Sequence, residues 1–301
     1  MTDAIPQPLA AVFLDAGDTL LAPTPSFEGR FIAVARAEGV ELAEAAVAAA
    51  FAAAARRAVW PTDWTDPATQ REFWCGHYTD ILGELRYEGD RAALADRMFE
   101  AFSDPAAYKL FDDVRPALDA LAGRGLKLGV ISNFEPWLAT VLELEGVDHL
   151  FAATAISGVL GVAKPEPGIF LWALQQAAVE AGSALHVGDH LDVDVSGARA
   201  VGMAGVLIDR YGRVPDPPPG VPRIESLAEL VDLVEAGLPE AREAGPAEAR
   251  EAGLPGAREA GLPGAREAGL PGAREAGLPG AREAGLPGAR EARLPEAREA
   301  R

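Results

Sequence analysis

The chain has 301 residues with 46 acidic and 27 basic side chains, a formal net charge of −19, and a single cysteine, Cys75. So acidic a chain repels nucleic acid and anionic lipid, and one cysteine forms neither an internal disulfide nor a cysteine-rich zinc site. Its N-terminus lacks a basic segment followed by an apolar run, and no stretch approaches about 18 uninterrupted apolar residues. We therefore expect a cytoplasmic protein without signal peptide or transmembrane helix, and with neither nucleic acid nor membrane as a partner.

The first predicted strand is the short apolar run AAVFLD at 10–15, which ends in an aspartate. The block that follows it, up to about residue 109, is rich in helix formers with apolar residues at roughly 3.6-residue spacing. Within this block Asp66 stands before Pro67, a combination typical of a helix start. The pattern predicts an inserted segment of about four helices.

From residue 110 onward the pattern alternates between helix and strand. The predicted strands are short apolar runs, at 126–132, 151–157, 184–189 and 204–209. The predicted helices lie between and after them, at 112–125, 135–146, 166–182, 194–202 and 225–237. Such alternation predicts an α/β fold, a Rossmann-like doubly wound and mostly parallel sheet with helices on both faces. We assign 1–22 and 110–236 to this core and 23–109 to the helical insert.

The C-terminal segment repeats an eight-residue unit, EAGLPGAR, with small variants. Each unit brings glycine and usually proline, which interrupt helices, and one leucine per eight residues buries little surface. Solenoid repeats need about 20 or more residues per unit. We predict a disordered low-complexity tail over 237–301, and we favour expansion of a short DNA repeat over a binding role for it.

Polar side chains stand where the predicted strands end. Asp15 ends the first strand, Ser132 and Asn133 end the second, and Asp189 follows the strand at 184–189. Lys164 lies in a loop just before a predicted helix. Ligands of such sheets bind at the carboxyl ends of the strands, so these groups converge if the strands are neighbours. The sequence predicts a carboxylate pair that acts as nucleophile or metal ligand, with a cation and a hydroxyl for an anion.

These places match, in order, four motifs of the haloacid dehalogenase-like hydrolase superfamily. The first, Asp-x-Asp-x-Thr, corresponds to DAGDT at 15–19, and the second, an apolar strand ending in serine or threonine, ends here at Ser132. The third, a lysine before proline, is Lys164, and the fourth, GDxxxxD, is GDHLDVD at 188–194. The helical insert resembles the cap of that superfamily's most familiar branch. The resemblance extends over roughly 10–236.

The resemblance implies a phosphatase that acts on a small phosphomonoester through an aspartyl-phosphate on Asp15, with Ser132 and Lys164 as the other catalytic residues. It implies magnesium (Mg²⁺) as cofactor, a cation that prefers oxygen ligands. The implied metal ligands are Asp15, the backbone carbonyl of Gly17, Asp189 and, in support, Asp194. The implied contacts to the phosphate are Ser132, Asn133, Lys164 and Thr19.

Gly17 departs from the family pattern, because phosphatases of the family carry there a second aspartate that acts as general acid and base. Such help is typically worth about 10²–10⁴ in rate, so the resemblance implies a slow phosphatase unless Asp18 or His190 substitutes. Haloacid dehalogenases also lack this aspartate and work without Mg²⁺, so a 2-haloacid dehalogenase is the alternative enzyme. The Gly-Asp pair of the fourth motif argues against it. A catalytically inactive binding protein is the third hypothesis.

The insert carries further candidates that the sequence does not single out. We expect its aromatic residues to pack rather than to contact substrate: Trp60, Trp64, Phe73, Trp74 and Tyr78. We expect structural roles also for Cys75, His77, Trp137 and His186. Four arginines of the insert are candidates for binding an anion: Arg30, Arg36, Arg56 and Arg57.

Overall fold

The computed structural model describes residues 5–6, 8–59, 61, 64–214 and 216–237. The predicted tail, apart from Gly237, and the aromatic residue Trp60 lie outside these residues. Among the helices described, none is both long and apolar enough to cross a membrane.

A six-stranded sheet forms the centre of the fold. Its strands, in chain order, are β1 (Ala11–Leu14), β4 (Lys127–Ser132), β5 (Phe151–Ile156), β6 (Ala184–Gly188), β7 (Ala204–Ile208) and β8 (Arg223–Ile224). Their spatial order is β5-β4-β1-β6-β7-β8, and every neighbouring pair is parallel. β1 and β6 are buried along their whole length, which explains the continuous apolar sequence of β1 and the apolar sequence of β6, broken only by His186. The predicted α/β fold with a mostly parallel sheet is confirmed.

Helices cover both faces of the sheet. One face carries α5 (Val114–Gly123), α6 (Leu138–Leu144) and α10 (Leu227–Gly237), and the other carries α8 (Pro167–Ala177) and α9 (Gly197–Ala200). Successive side chains of a strand point to opposite faces, and β1 accordingly divides its residues between the two cores. Val12 and Leu14 join the first core, whereas Ala11 and Phe13 join the second. A four-residue helix, α7 (Ser157–Leu160), follows β5.

The helical insert consists of α1 (Phe27–Ala37), α2 (Glu44–Ala55), α3 (Pro67–Glu84) and α4 (Arg91–Phe102), packed around a core of their own. Asp66 is the N-cap of α3, because its carboxylate accepts hydrogen bonds from the backbone N–H groups of Ala68 and Thr69, 3.2 and 3.1 Å away. The helix start predicted at Asp66 is therefore confirmed.

Two strands that the sequence analysis did not predict connect the insert to the sheet domain. β2 (Leu21–Pro23) and β3 (Tyr108–Leu110) pair in antiparallel fashion on either side of the insert. Each has only three residues, too few for an alternating pattern to be recognised. The pairing brings both ends of the insert close to the end of β1.

The helix predicted at 194–202 is only partly regular. The segment Leu191–Ser196 is a π-helix, and the α-helix α9 covers only Gly197–Ala200. The carbonyl of His190 accepts hydrogen bonds from the N–H groups of both Asp194 (2.9 Å) and Val195 (3.2 Å), which widens this turn. Such widened turns are frequent at functional sites, and this one determines where the Asp194 side chain lies.

Candidate active site

Asp15 begins the turn that follows β1. Its backbone N–H donates to the carbonyl of Val187 in β6 at 2.9 Å, so the strand pairing continues to the start of the turn. The residue is only 7% exposed, and a carboxylate buried to this degree needs a compensating charge. Lys164 supplies it, because its Nζ lies 2.6 Å from Oδ1 of Asp15.

Lys164 links two of the predicted acids. Its Nζ also lies 2.6 Å from Oδ1 of Asp194, and the residue is only 5% exposed. Burial by itself would lower the pKa of this ammonium group, but attraction to Asp15 and then to Asp194 outweighs burial and raises the pKa above its ordinary value. The lysine is therefore a fixed positive charge between two carboxylates.

Asn133 holds the backbone of that lysine. Its side-chain Oδ1 accepts from the N–H of Lys164 at 2.7 Å, and its Nδ2 donates to the carbonyl of the same residue at 2.9 Å. Both polar atoms of the Asn133 amide are thus engaged by Lys164. The geometry makes Asn133 a positioning residue for the lysine, whereas the predicted contact to phosphate stays a prediction. Ser132 is buried at the end of β4 and lines the same cavity as Asp15.

Asp194 is fully enclosed by hydrogen-bond donors. Besides Lys164, the Nε2 of His186 lies 3.0 Å from its Oδ1, and the backbone N–H of His190 donates to its Oδ2 at 3.0 Å. Burial would raise the pKa of this carboxyl, but Lys164 and His186 outweigh it and lower the pKa below its ordinary range. A Cβ at Gly188 would lie 2.2 Å from Cγ of Asp194, so the approach of this carboxyl requires the glycine of the fourth motif.

Asp189 lacks such compensation. A carboxylate oxygen of Asp189 lies within 4.8 Å of ligand atoms of both Asp15 and Asp194. Among the described residues no lysine or arginine pairs with it, and the nearest basic group is Nε2 of the exposed His190, 3.7 Å from Oδ2. Burial first, and then repulsion from Asp15 and Asp194, raise the pKa of Asp189 well above its ordinary value.

The three carboxylates form a donor set that fits a divalent cation. All ligand atoms are oxygens, which Mg²⁺ prefers; burial and then repulsion from Asp15 and Asp194 raise the pKa of Asp189, and a bound cation would relieve both. Gly17 lines the same cavity, as its predicted role as a carbonyl ligand requires. The residues that can hold a metal are therefore Asp15, Asp189 and Asp194, and the predicted role of the Gly17 carbonyl stays a prediction.

The turn after Asp15 contains Gly17 and two candidate site residues, Asp18 and Thr19. A Cβ built on Gly17 meets no atom within 4 Å, so space is open at this position. The carboxylate of Asp18 is bound by Arg213 at 2.8 Å and by the hydroxyl of Tyr211 at 3.3 Å. Thr19 is fully buried, its Oγ1 has no hydrogen-bond partner among the described residues, and it is not among the residues that line the cavity. Its predicted contact to phosphate remains a prediction.

A cavity of about 540 Å³ opens in front of these groups, between the ends of the strands and the helical insert. Ten phenylalanine, tyrosine and tryptophan residues line it, and we call six of them the aromatic wall: Trp64, Trp74, Tyr78, Phe102, Tyr108 and Trp137. The sequence analysis expected packing roles for several of them, and they both pack and face the cavity. The four candidate arginines of the insert are not among the described lining residues.

Glu135 and His186 are the site residues that the sequence analysis did not identify. Glu135 lines the cavity, is 8% exposed, and accepts a hydrogen bond from Nε1 of Trp74. Burial raises its pKa. In the sequence, Glu135 looks like the solvated first turn of a helix, and His186 looks like an ordinary core residue of a strand. Only the tertiary structure shows that one faces the cavity and the other orients Asp194.

Fold and site together define a hydrolase of the α/β class. The family model of the haloacid dehalogenase-like hydrolases matches residues 9–202, so the chain belongs to this family. The haloacid dehalogenase-like hydrolase domain-containing protein 3 of Mus musculus is 32% identical over 240 residues, which cover 75% of this chain and 94% of the mouse protein.

Two further relatives carry names of phosphatases. A phosphoserine phosphatase of Thermus thermophilus is 32% identical over 226 residues, covering 68% of this chain and 91% of that protein. A glyceraldehyde 3-phosphate phosphatase of Methanopyrus kandleri is 37% identical over 168 residues, covering 52% of this chain and 71% of that protein. Among solved structures, the HAD-hydrolase YfnB of Bacillus subtilis superposes with a TM-score of 0.62 at 18% identity, covering 75% and 98% of the two chains, which establishes the common fold.

Proposed function

We propose that the protein is a Mg²⁺-dependent phosphatase that hydrolyses a small phosphomonoester through a covalent intermediate on Asp15. One observation carries the proposal: a buried aspartate at a strand end faces a cavity, with an ammonium group 2.6 Å away and two further carboxylates within reach. The phosphatase names of the Thermus and Methanopyrus relatives support the choice of a phosphate ester.

The chemistry takes place in two displacements at phosphorus. A carboxylate oxygen of Asp15 bonds to phosphorus while the ester P–O bond breaks, and the departing oxygen keeps the electron pair and takes up a proton from water. A second water then attacks phosphorus and gives a proton to the hydroxide that the first water left, the bond to Asp15 breaks, and inorganic phosphate leaves. The net reaction consumes one water, and the covalent intermediate divides one difficult displacement into two easier ones.

The residues around Asp15 have separate tasks in this scheme. Lys164 pairs with Asp15 and offers its charge to the phosphoryl oxygens, while Asn133 fixes the lysine backbone. Ser132 offers its hydroxyl as a hydrogen-bond donor to the phosphate. A divalent cation held by Asp15, Asp189, Asp194 and the Gly17 carbonyl would neutralise negative charge between nucleophile and phosphate.

The helical insert acts as the cap in this proposal. The wall of the cavity opposite Asp15 consists largely of residues from the insert, so closure of the insert would exclude water and select the substrate. The unit 23–109 is thus the specificity element, and 1–22 with 110–236 is the catalytic core.

The decisive test compares purified wild type with the Asp15→Asn variant, both depleted of metal and resupplied with Mg²⁺. We expect the wild type to hydrolyse p-nitrophenyl phosphate or a natural phosphomonoester, and Asp15→Asn to be inactive. Asp192→Asn is the matched control, because Asp192 is exposed in the same segment as the proposed ligands and should leave the rate unchanged. Equal rates for wild type and Asp15→Asn would reject the proposal.

A 2-haloacid dehalogenase is the second candidate, and Gly17 is the observation that favours it. A carboxylate at position 17 is dispensable for displacement of halide from carbon, because halide needs no proton to leave. The close approach of Asp189 to Asp15 and Asp194 favours the Mg²⁺-dependent phosphatase instead. Halide release from a 2-haloacid in the presence of EDTA would decide for the dehalogenase.

A further inference from the structure

The organic end of a substrate in this cavity would meet the aromatic wall, whose rings pack in two groups, Trp64, Trp74, Tyr78 and Phe102 in one and Tyr108 and Trp137 in the other. Trp74 and Tyr78 stack at a centroid distance of 6.0 Å, and Tyr78 and Phe102 stack at 5.4 Å. Tyr108 and Trp137 pack at 5.1 Å. Rings that hold one another in this way present fixed π faces, which suit either an apolar group or a cation.

Two polar groups of the wall are already engaged in hydrogen bonds. The hydroxyl of Tyr108 donates to the carbonyl of Phe102 at 2.9 Å, and Nε1 of Trp74 donates to Glu135. What the wall offers is ring surface and one carboxyl group, that of Glu135.

The charges that line the cavity are unbalanced. In the described lining, Lys164 is the one lysine or arginine, whereas six residues carry a carboxyl group: Asp15, Asp18, Glu135, Glu166, Asp189 and Asp194. Lys164 compensates Asp15 and Asp194, Arg213 compensates Asp18, and Asp189 belongs to the donor set for the cation. Of the two glutamates, Glu166 is exposed to solvent, and Glu135 is buried.

Glu135 is therefore the buried acid of the cavity that has no compensating positive charge. No lysine or arginine of the described chain pairs with it, and its one side-chain partner there is the indole N–H of Trp74. A buried carboxyl among aromatic rings is costly when it ionises, and a cation seated on the rings removes this cost. Rings with a nearby carboxylate are the environment that recognises substituted ammonium groups.

We propose that Glu135 and the aromatic wall bind an ammonium group on the leaving alcohol, so that the substrate is the phosphate monoester of an amino alcohol. The phosphate would face Asp15 and Lys164 while the ammonium group faces Trp74 and Glu135. A cavity of about 540 Å³ accommodates both ends of such a molecule. This substrate class rests on the proposed phosphatase function of the same site.

Two esters of nearly identical shape test the charge alone. Phosphocholine carries a quaternary ammonium group, and 3,3-dimethylbutyl phosphate carries an uncharged tert-butyl group in its place. Calorimetry on the Asp15→Asn variant with Mg²⁺ measures binding without turnover, and kcat/KM of the wild type measures turnover. We expect phosphocholine to be favoured by about tenfold or more in both measurements, as a desolvated cation on aromatic rings implies.

Glu135→Gln removes the charge while its amide oxygen can still accept from Trp74. In this variant, combined with Asp15→Asn for calorimetry, the preference for phosphocholine should fall to about twofold or less, and binding of the uncharged ester should stay unchanged. Glu166→Gln is the matched control, an exposed glutamate at the same cavity, and should keep the full preference. Circular dichroism and thermal unfolding check that each variant is folded.

The outcomes separate the two proposals. If no ester, including p-nitrophenyl phosphate, is hydrolysed by the wild type, the phosphatase function fails, while the binding preference on Asp15→Asn still decides the inference. Equal affinity for the two esters, or binding of neither, would overturn the inference. It would also be overturned if Glu135→Gln weakened both esters equally, as a purely structural role predicts, or if Glu166→Gln abolished the preference.

Discussion

Gly17→Asp is the substitution that most directly tests whether the site is complete apart from one proton donor. A Cβ at this position meets no atom within 4 Å, so the new side chain enters open space without displacing its neighbours. The carboxyl would lie on the same cavity as Asp15, Asp18 and Asp189, whose negative charges raise the pKa of an additional acid. A raised pKa suits a group that must donate a proton to the leaving alcohol near neutral pH.

The expected gain follows from the contribution of general acid catalysis. Supplying the missing acid should raise kcat by about 10²–10⁴ on an alkyl phosphate, which corresponds to about 3–5 kcal/mol of barrier. The gain should be much smaller on p-nitrophenyl phosphate, because nitrophenolate leaves without protonation. Gly17→Asn is the matched control, equal in size but without an acidic proton. Equal alkyl phosphatase rates for Gly17→Asp and Gly17→Asn, in Mg²⁺ and with both variants folded, would refute this account of the site.

Three further substitutions probe the charges around the site. Lys164→Met leaves Asp15 and Asp194 buried without their cation and should lower the free energy of unfolding in urea by about 3–5 kcal/mol; an unchanged value would contradict the buried ion pairs. Gly188→Ala places a Cβ against Asp194 and should weaken Mg²⁺ binding, measured by calorimetry, by about tenfold or more. An unchanged affinity for Mg²⁺ would contradict this expectation. Burial raises the pKa of Glu135 above 4.5, so between pH 4.5 and that raised pKa the unfolded chain releases this proton while the folded chain retains it. The wild type should therefore lose stability relative to Glu135→Gln as the pH rises through this window, with a limiting slope of about 1.4 kcal/mol per pH unit in urea unfolding. A stability difference that does not vary with pH would show that Glu135 titrates normally.

Much of the fold was predictable because its central strands carry unambiguous patterns. β1 and β6 are buried on both sides; β1 is a continuous apolar run and β6 is one apart from His186, as is typical of strands in a parallel sheet. β2 and β3, at three residues each, and β8, at two, are too short for any period to be visible. The π-helix at Leu191–Ser196 escaped prediction for a different reason: the contacts of Asp194 with Lys164 and His186 belong to distant parts of the chain.

The site likewise contains residues that the sequence could predict and residues that it could not. Asp15, Ser132 and Asp189 lie at the carboxyl ends of three strands that the structure shows to be neighbours, so the sequence could predict their convergence once this neighbourhood was assumed. The role of Asn133 could not, because its two hydrogen bonds go to the backbone of Lys164, 31 residues away in the sequence. Glu135 was missed because a charged residue before a proline normally begins a solvated helix. Its contact with Trp74, a residue of the insert, becomes visible only in the tertiary structure.

The charge balance of the cavity connects metal, phosphate and the organic end of the substrate. A phosphate dianion entering a space lined by six carboxyl-bearing residues and one lysine is repelled unless positive charge enters with it. A cation at Asp189 supplies that charge on the phosphate side, and an ammonium group at Glu135 supplies it on the aromatic side. The two sites should therefore assist each other, because each neutralises acids that oppose the rest of the ligand. Phosphocholine should then bind more tightly with Mg²⁺ than without it. Equal affinities under the two conditions in calorimetry would show that the two sites are not coupled.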